Sequence, residues 1–392
     1  MVENHPVVRV STTFHLPKKH YILPLLLLVW LLQYTPLAAA ADWYVAESRK
    51  YRKEITINSG QVPADQSNFP VLVVITGDDD FKDTANNGHV GRADGLDILF
   101  TGDDGTTVLD YEICQYNAAA GDVYAWVKVP LVKSALPDTV IYIYYGNAAG
   151  SDLQDVSGTW DNGFELVQHL DENPADGVTG HIDATGNGHN GTPMNLQDGS
   201  GDSNASGKIL GADRFGGGND YVVIPNHANI TFLSTDDYTL SAWINIPAAP
   251  GAWTGVVTKS RDISPWYGIW ISSSNLWVYG LTGNLYGNAV TAGWHHIVLV
   301  QDAGSNECKI YVDSNDEGTR TTVNANGAGD LWIGGAGGVS EYFTGTVDEV
   351  RIATTNRAPE WVTTEFSNQS NPGGFITVGQ EERARGTAVK GG

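Results

Sequence analysis

From residue 51 to residue 380 the chain is cut into short apolar or alternating runs, each closed by glycine, asparagine or aspartate. KEITIN (53–58), VLVVIT (71–76), LDILFT (96–101), VYAWVKVP (123–130) and TVIYIYYG (139–146) are of this kind. So are YTLSAWINI (238–246), YGIWIS (267–272), NLWVYGL (275–281), WHHIVLVQD (294–302) and CKIYVDS (308–314). Side chains on a strand alternate between faces, so runs of this length and period read as strands. Turn signals at this spacing leave no room for long helices, and the expected fold class is all-β, built of sandwiches. One stretch departs from the pattern. In APEWVTTEFSNQ (358–369), Trp361, Val362, Glu365 and Phe366 recur at helical spacing.

A chain of 392 residues accommodates two or three domains. Arg9, Lys18, Lys19 and His20 precede LPLLLLVWLL (23–32), and QYTPLAAAAD (33–42) follows. A basic region, a short apolar run and small residues are the parts of a signal peptide. Residues 1–41 are therefore expected to be removed between Ala39 and Asp42. The mature protein is expected to be secreted or on the extracellular side of the cell envelope, with no membrane span. An uncleaved anchor helix is the alternative, although the run is short for one. Residues 42–150 then form a first β-sandwich module. NAAGSDLQDVSGTWDN (147–162) is small and polar, and residues 151–163 read as a linker. A second β-rich module runs over 164–382, and 383–392 is a polar tail expected to be disordered.

Acidic residues dominate the charge, for a net value of -23, which argues against a nucleic-acid partner, since such a partner requires a basic face. Cys114 and Cys308 are the only cysteines, too few for a disulfide framework or a zinc-finger spacing. Each reads as a buried small residue, with a disulfide between modules left open.

The second module is identified by HLDE (169–172), DATGNGHNGT (183–192), DRFGGGNDYVVIP (213–225), YTLSAWI (238–244), GWHHIVLVQD (293–302), IYVDS (310–314) and YFTGTVDEVRI (342–352). In this order they resemble the laminin-G-like, concanavalin A-like jelly-roll domains of secreted bacterial proteins. In the first module YRKEITI, FPVLVVI, DGLDILFT and YIYYGN resemble the uncharacterised β-rich domain that often precedes such a jelly roll.

The residues bear on three kinds of chemistry: metal binding, hydrolysis and ligand binding. Asp183, Thr185 and Asn187 place oxygens at alternate positions before Gly188, half of a calcium loop. The twelfth position is Met194 rather than glutamate, so it is no EF-hand. In FTGTVDEVRI (343–352), simple alternation puts Thr346, Asp348, Val350 and Ile352 on one face and Val347, Glu349 and Arg351 on the other. A buried carboxylate there needs a partner. The resemblance implies one structural calcium held by an early loop and an acid near the last strands, here Asp183, Asn187 and Asp348. The alternative is that Asp348 accepts backbone N–H bonds or pairs with Arg214 or Arg351. DSNDEG (313–318) reads as a hairpin turn.

For hydrolysis, concanavalin A-like glycosidases carry an E-x-D-x-x-E strand with convergent carboxylates. None is present. Asp171–Glu172 and Asp348–Glu349 are adjacent pairs whose side chains diverge on a strand, so no catalysis is expected. His295 and His296 likewise point to opposite faces. For binding, aromatics crowd residues 253–286. Flat rings beside polar groups suit the faces of sugars, and Trp253, Trp266, Tyr267 and Trp270 are the candidate ligand-binding residues. The sequence thus points to a secreted, non-catalytic binding or adhesion protein that recognises a polysaccharide or cell-surface glycan. A structural surface or matrix protein and a glycoside hydrolase are the alternatives.

Overall fold

The computed structural model describes residues 43–44, 48–172, 180–196, 205–281, 283–321 and 327–384. The export segment expected in residues 1–41 lies outside them. The fold is all-β, with antiparallel pairing throughout the four sheets.

The first module is a small sandwich. Gln66–Ile75, Asp122–Val132 and Tyr111–Asn117 form one sheet in that order, while Tyr51–Ile57, Thr139–Tyr145 and Leu99–Thr101 run through the other. Val71, Val73, Ala125 and Val127 are fully buried, as apolar runs inside a sandwich must be.

The second module is a larger sandwich of eight and seven strands. Gly293–Asp302, Tyr238–Ile246, Thr344–Ala353 and Gly211–Gly216 are consecutive in the first of these sheets. Leu276–Gly280, Tyr267–Ile271, Thr254–Lys259 and Leu331–Ile333 are consecutive in the second. Their inner faces share one core that includes Leu240, Ile244, Ile269, Leu299 and Ile352. The 313–318 turn is the expected hairpin, with Asp313 and Ser314 both at positive φ between Glu307–Val312 and Asn315–Arg320.

The boundary between the modules differs from the one drawn on the sequence. Ile376–Val378 and Glu382–Arg383 both pair with Tyr51–Ile57, so the end of the 164–382 segment completes the first module's sheet. Arg383, assigned to the tail, lies in that pairing. The expected helix is present as Pro359–Ser370, with proline at its first turn. It packs on the first module, where the Asn368 side chain donates to Leu72 O at 3.0 Å and accepts from Leu72 N at 2.7 Å. Leu72 lies on an edge strand, so this one amide covers backbone groups that no neighbouring strand pairs. The 151–163 stretch is not a free linker either: it contains the helix Val156–Thr159 and the fully buried Trp160. Both cysteines are free thiols.

A β-bulge corrects the reading of FTGTVDEVRI. Ser241 pairs with Arg351 but Trp243 with Asp348, so two residues face one, and Glu349 takes φ +52. Val347, Val350 and Ile352 therefore all reach the core, while Asp348 and Arg351 do not. Asp348, Glu349 and Arg351 are instead buried outside that core, Arg351 where the modules meet. There Arg351 pairs with Glu349 at 2.7 Å and Glu365 at 3.1 Å. Its guanidinium sits 4.3 Å from the ring centre of Trp126 and 4.8 Å from that of Trp160.

Candidate functional site

Tyr267–Ile271 alternates strictly. Tyr267, Ile269 and Ile271 enter the core, so Gly268 and Trp270 face outward. Gly268 pairs with Gly280 on the next strand, and the Trp270 indole lies across these two glycines. A Cβ on Gly268 would sit 3.0 Å from Trp270 Cζ3, and one on Gly280 would overlap the ring. Trp270 Nε1 donates to Glu341 Oε2 at 2.8 Å. Arg261 donates to both Glu341 oxygens, from Nε at 3.2 Å and Nη2 at 3.0 Å. The guanidinium also covers the Trp266 ring at 4.9 Å. Trp253 closes the side, 38% exposed and edge-on to the exposed Tyr286.

Trp253, Arg261, Trp266, Trp270, Gly280, Asn284 and Glu341 line a pocket of about 150 Å³. It is smaller than the roughly 300–1,000 Å³ of drug-sized sites and suits a single ring. Its walls are indole faces and its rim carries a guanidinium, a carboxylate and an amide, so it offers stacking surface and both donors and acceptors. Of the four residues expected to bind ligand, Trp253, Trp266 and Trp270 come together here. Tyr267 does not: it lies on the opposite face of the strand, within the core, with its hydroxyl donating to Ile230 O at 3.2 Å, whereas Trp270, equally buried at 2% exposure, faces the pocket. Alternation alone separates it from Trp270. Arg261 and Glu341 were missed, because eighty residues separate them and only the sheet joins them.

The three residues expected to hold calcium make separate sets of contacts. Asp183 braces its own loop, accepting from Val167 N, Thr185 N, Thr185 Oγ1 and His189 N at 2.8–3.2 Å. Asn187 donates to Glu165 O at 3.1 Å. Asp348 Oδ2 accepts from Lys208 N at 2.7 Å and Ile209 N at 2.9 Å, and Oδ1 is buried without a partner. Backbone N–H groups answer the need of one oxygen of that carboxylate. Among the described residues, the His, Cys, Asp and Glu side chains close enough to hold an ion together are elsewhere: Glu112, Cys114 and His169; Glu165, His189 and His227; Asp80, His89 and Glu381.

A second opening, about 510 Å³, lies between the modules and is lined by Glu112, Cys114, His169, Asp171 and Glu172 among others. Burial raises the Asp171 carboxyl above its usual range and lifts Glu172 to about 7. Behind it His181, fully buried, lies 3.7 Å from Glu172 and 3.4 Å from Asp213. Burial depresses His181 to about 4 and holds Asp213 well above the usual carboxylate range.

Fold and pocket together define a jelly-roll sandwich with an aromatic, polar-rimmed site on the outer face of one sheet. Residues 216–363 match the family model described as the concanavalin A-like lectin/glucanases superfamily. Residues 94–179 match that of a domain of unknown function (DUF2341). No curated protein matches the chain. Among solved structures, the chain resembles the binding domain of Paraclostridial Mosquitocidal Protein 1 at 12% identity and TM-score 0.40, over 52% of each chain. It resembles domain 4 of an extracellular GH43 arabinanase from Geobacillus stearothermophilus, solved with arabinotriose, at 19% identity and TM-score 0.41. That match covers 52% of this chain and 98% of the other. It resembles a Trypanosoma rangeli sialidase at 12% identity and TM-score 0.39, over 58% of this chain and 40% of that one. No helix among the described residues is long and apolar enough to cross a membrane.

Proposed function

We propose that this protein is an exported, non-catalytic glycan-binding protein that uses the Trp253–Trp266–Trp270 pocket. The observation that carries the reading is the placement of three indoles around the Arg261–Glu341 pair on an outward face. Trp253 is exposed and Trp266 half-buried, with Trp270 buried behind them, and sugar rings present apolar faces for stacking and hydroxyls for a guanidinium and a carboxylate. Because Glu341 neutralises Arg261, the pocket favours a neutral sugar over a uronate. The superfamily matched by residues 216–363 supports the same reading. The reading does not depend on calcium, since none of Asp183, Asn187 and Asp348 lines the pocket.

The test is a binding screen of the purified chain against neutral and acidic polysaccharides, with Trp266→Ala and Tyr267→Phe in parallel. Trp266→Ala is expected to weaken binding by about 2 kcal/mol, the scale of a central aromatic anchor. Tyr267→Phe is expected to leave it unchanged. Equal effects of the two substitutions, or no saturable binding to any polysaccharide, would refute the proposal.

A further inference from the structure

We propose that Glu112, Cys114 and His169 form a zinc-type cation site in the cleft between the two modules. The site is independent of the aromatic pocket and of any sugar.

The donors come from both modules. Glu112 and Cys114 lie on Tyr111–Asn117, and His169 directly follows the strand Phe164–Gln168. Along the first of these strands the register against Asp122–Val132 slips: Ile113 pairs with Ala125 and Gln115 with Tyr124. Cys114 is thus the extra residue of a bulge, a device that re-aims a side chain. Its thiol, Glu112 and His169 offer ligand atoms that all lie within 4.8 Å of one another. His169 Nε2 and Glu112 Oε2 are 3.3 Å apart. For zinc bonded tetrahedrally to nitrogen and oxygen at about 2.0–2.1 Å, the expected N···O edge is roughly 3.3 Å.

The surroundings are those of a ligand set. His169 Nδ1 lies 2.9 Å from Glu349 Oε1, the carboxylate–histidine arrangement that fixes a metal-binding tautomer with Nε2 free. Glu112 Oε2 accepts from Trp160 Nε1 at 2.7 Å, which sets the orientation of that carboxylate. When Nδ1–H donates its hydrogen bond to Glu349, the unprotonated Nε2 lone pair confronts the Glu112 carboxylate, and a positive species must lie between them. A proton could serve, but it would leave the re-aimed thiol unused. The 510 Å³ opening gives an entry path and room for water as a fourth ligand, and Asp171 lines the same space. One sulfur, one imidazole and one carboxylate are a borderline-soft set that suits zinc rather than calcium or magnesium. Coordination expels the thiol proton to solvent, so loading releases protons and strengthens as pH rises.

The test uses the purified full chain, stripped of metal and titrated with zinc and with cobalt(II). One zinc per chain is expected, with a sulfur-to-cobalt charge-transfer band on cobalt loading and no competition from calcium. The Cys114 thiol makes no hydrogen bond among the described residues, so Cys114→Ser should keep the wild-type apo melting curve while losing the band. Glu349→Gln, acting through His169 as a positioning change, should weaken zinc binding about 10–100-fold. Absence of stoichiometric zinc, a cobalt spectrum without a thiolate band, or zinc affinity unchanged in Cys114→Ser would overturn the site. So would an imidazole spectrum showing His169 doubly protonated in saturating zinc, the outcome expected of a purely structural ion pair.

Discussion

Replacing Gly280 with alanine is expected to unseat Trp270 and damage the pocket without touching its rim. Gly280 needs no unusual φ, so alanine fits the backbone and the cost is steric. The added methyl would overlap Cε3 and Cζ3 of the indole and lie 3.0 Å from Cδ2. Overpacking of this kind costs about 1–3 kcal/mol. The ring can escape by lifting, but lifting breaks its 2.8 Å bond to Glu341, and a hydrogen bond to a charged group contributes about 1.5–3 kcal/mol. The overlap and the broken bond are alternatives, so the loss should be about 1–3 kcal/mol rather than their sum. Arg261 keeps its own contacts with Glu341, so the charged rim survives while the flat wall is displaced. Denaturant unfolding should show the midpoint falling with an unchanged slope. Affinity for any polysaccharide that binds the wild type should fall about tenfold or more, since 1.4 kcal/mol is one decade. If Gly280→Ala melts and binds like the wild type, Trp270 does not lie across Gly280, and the pocket as described is wrong.

Asn368→Ala orphans the N–H and C=O of Leu72, each costing about 1–3 kcal/mol when buried, and hydrogen exchange should quicken at the Leu72 amide. Unchanged exchange there would show that the amide covers nothing. Asp213→Asn should stabilise the protein at neutral pH. Burial raises the folded pKa of Asp213, so the folded state keeps a proton that the unfolded chain releases above about pH 4. Wild-type stability is therefore lost as pH rises from that point, at up to about 1.4 kcal/mol per pH unit until the folded pKa is reached. The gain from asparagine should be negligible at pH 3 and grow towards pH 7 in paired urea titrations. A variant less stable than wild type at pH 7 would instead make Asp213–His181 a true ion pair.

Strand alternation and turn chemistry made most of the fold legible. The same period of two would have moved Tyr267 from the pocket to the core, since it neighbours Trp266 and lies three positions from Trp270. Position 349 was opaque: nothing local to TVDEVRI marks a left-handed glutamate, and that one residue reverses which side chains reach the core. Arg261 with Glu341, and Glu112 with His169, were invisible for a different reason. They are joined by sheet order and module packing, which a linear pattern does not encode. The loop DATGNGHNG looked like a metal cradle because oxygen-rich turns use the same residues to satisfy their own backbone.

The pairing of Ile376–Val378 and Glu382–Arg383 with Tyr51–Ile57 sets an order of events. A ribosome that has finished the first 150 residues has not yet made the strands that complete their sheet, and more than two hundred residues must follow. The jelly roll is in effect an insertion within the first module, able to form while its host still lacks an edge. Contacts of such sequence separation form slowly. The first module to be synthesised is therefore the last to close, and a chain cut short before residue 376 leaves Tyr51–Ile57 exposed along a bare edge, open to pairing with another molecule.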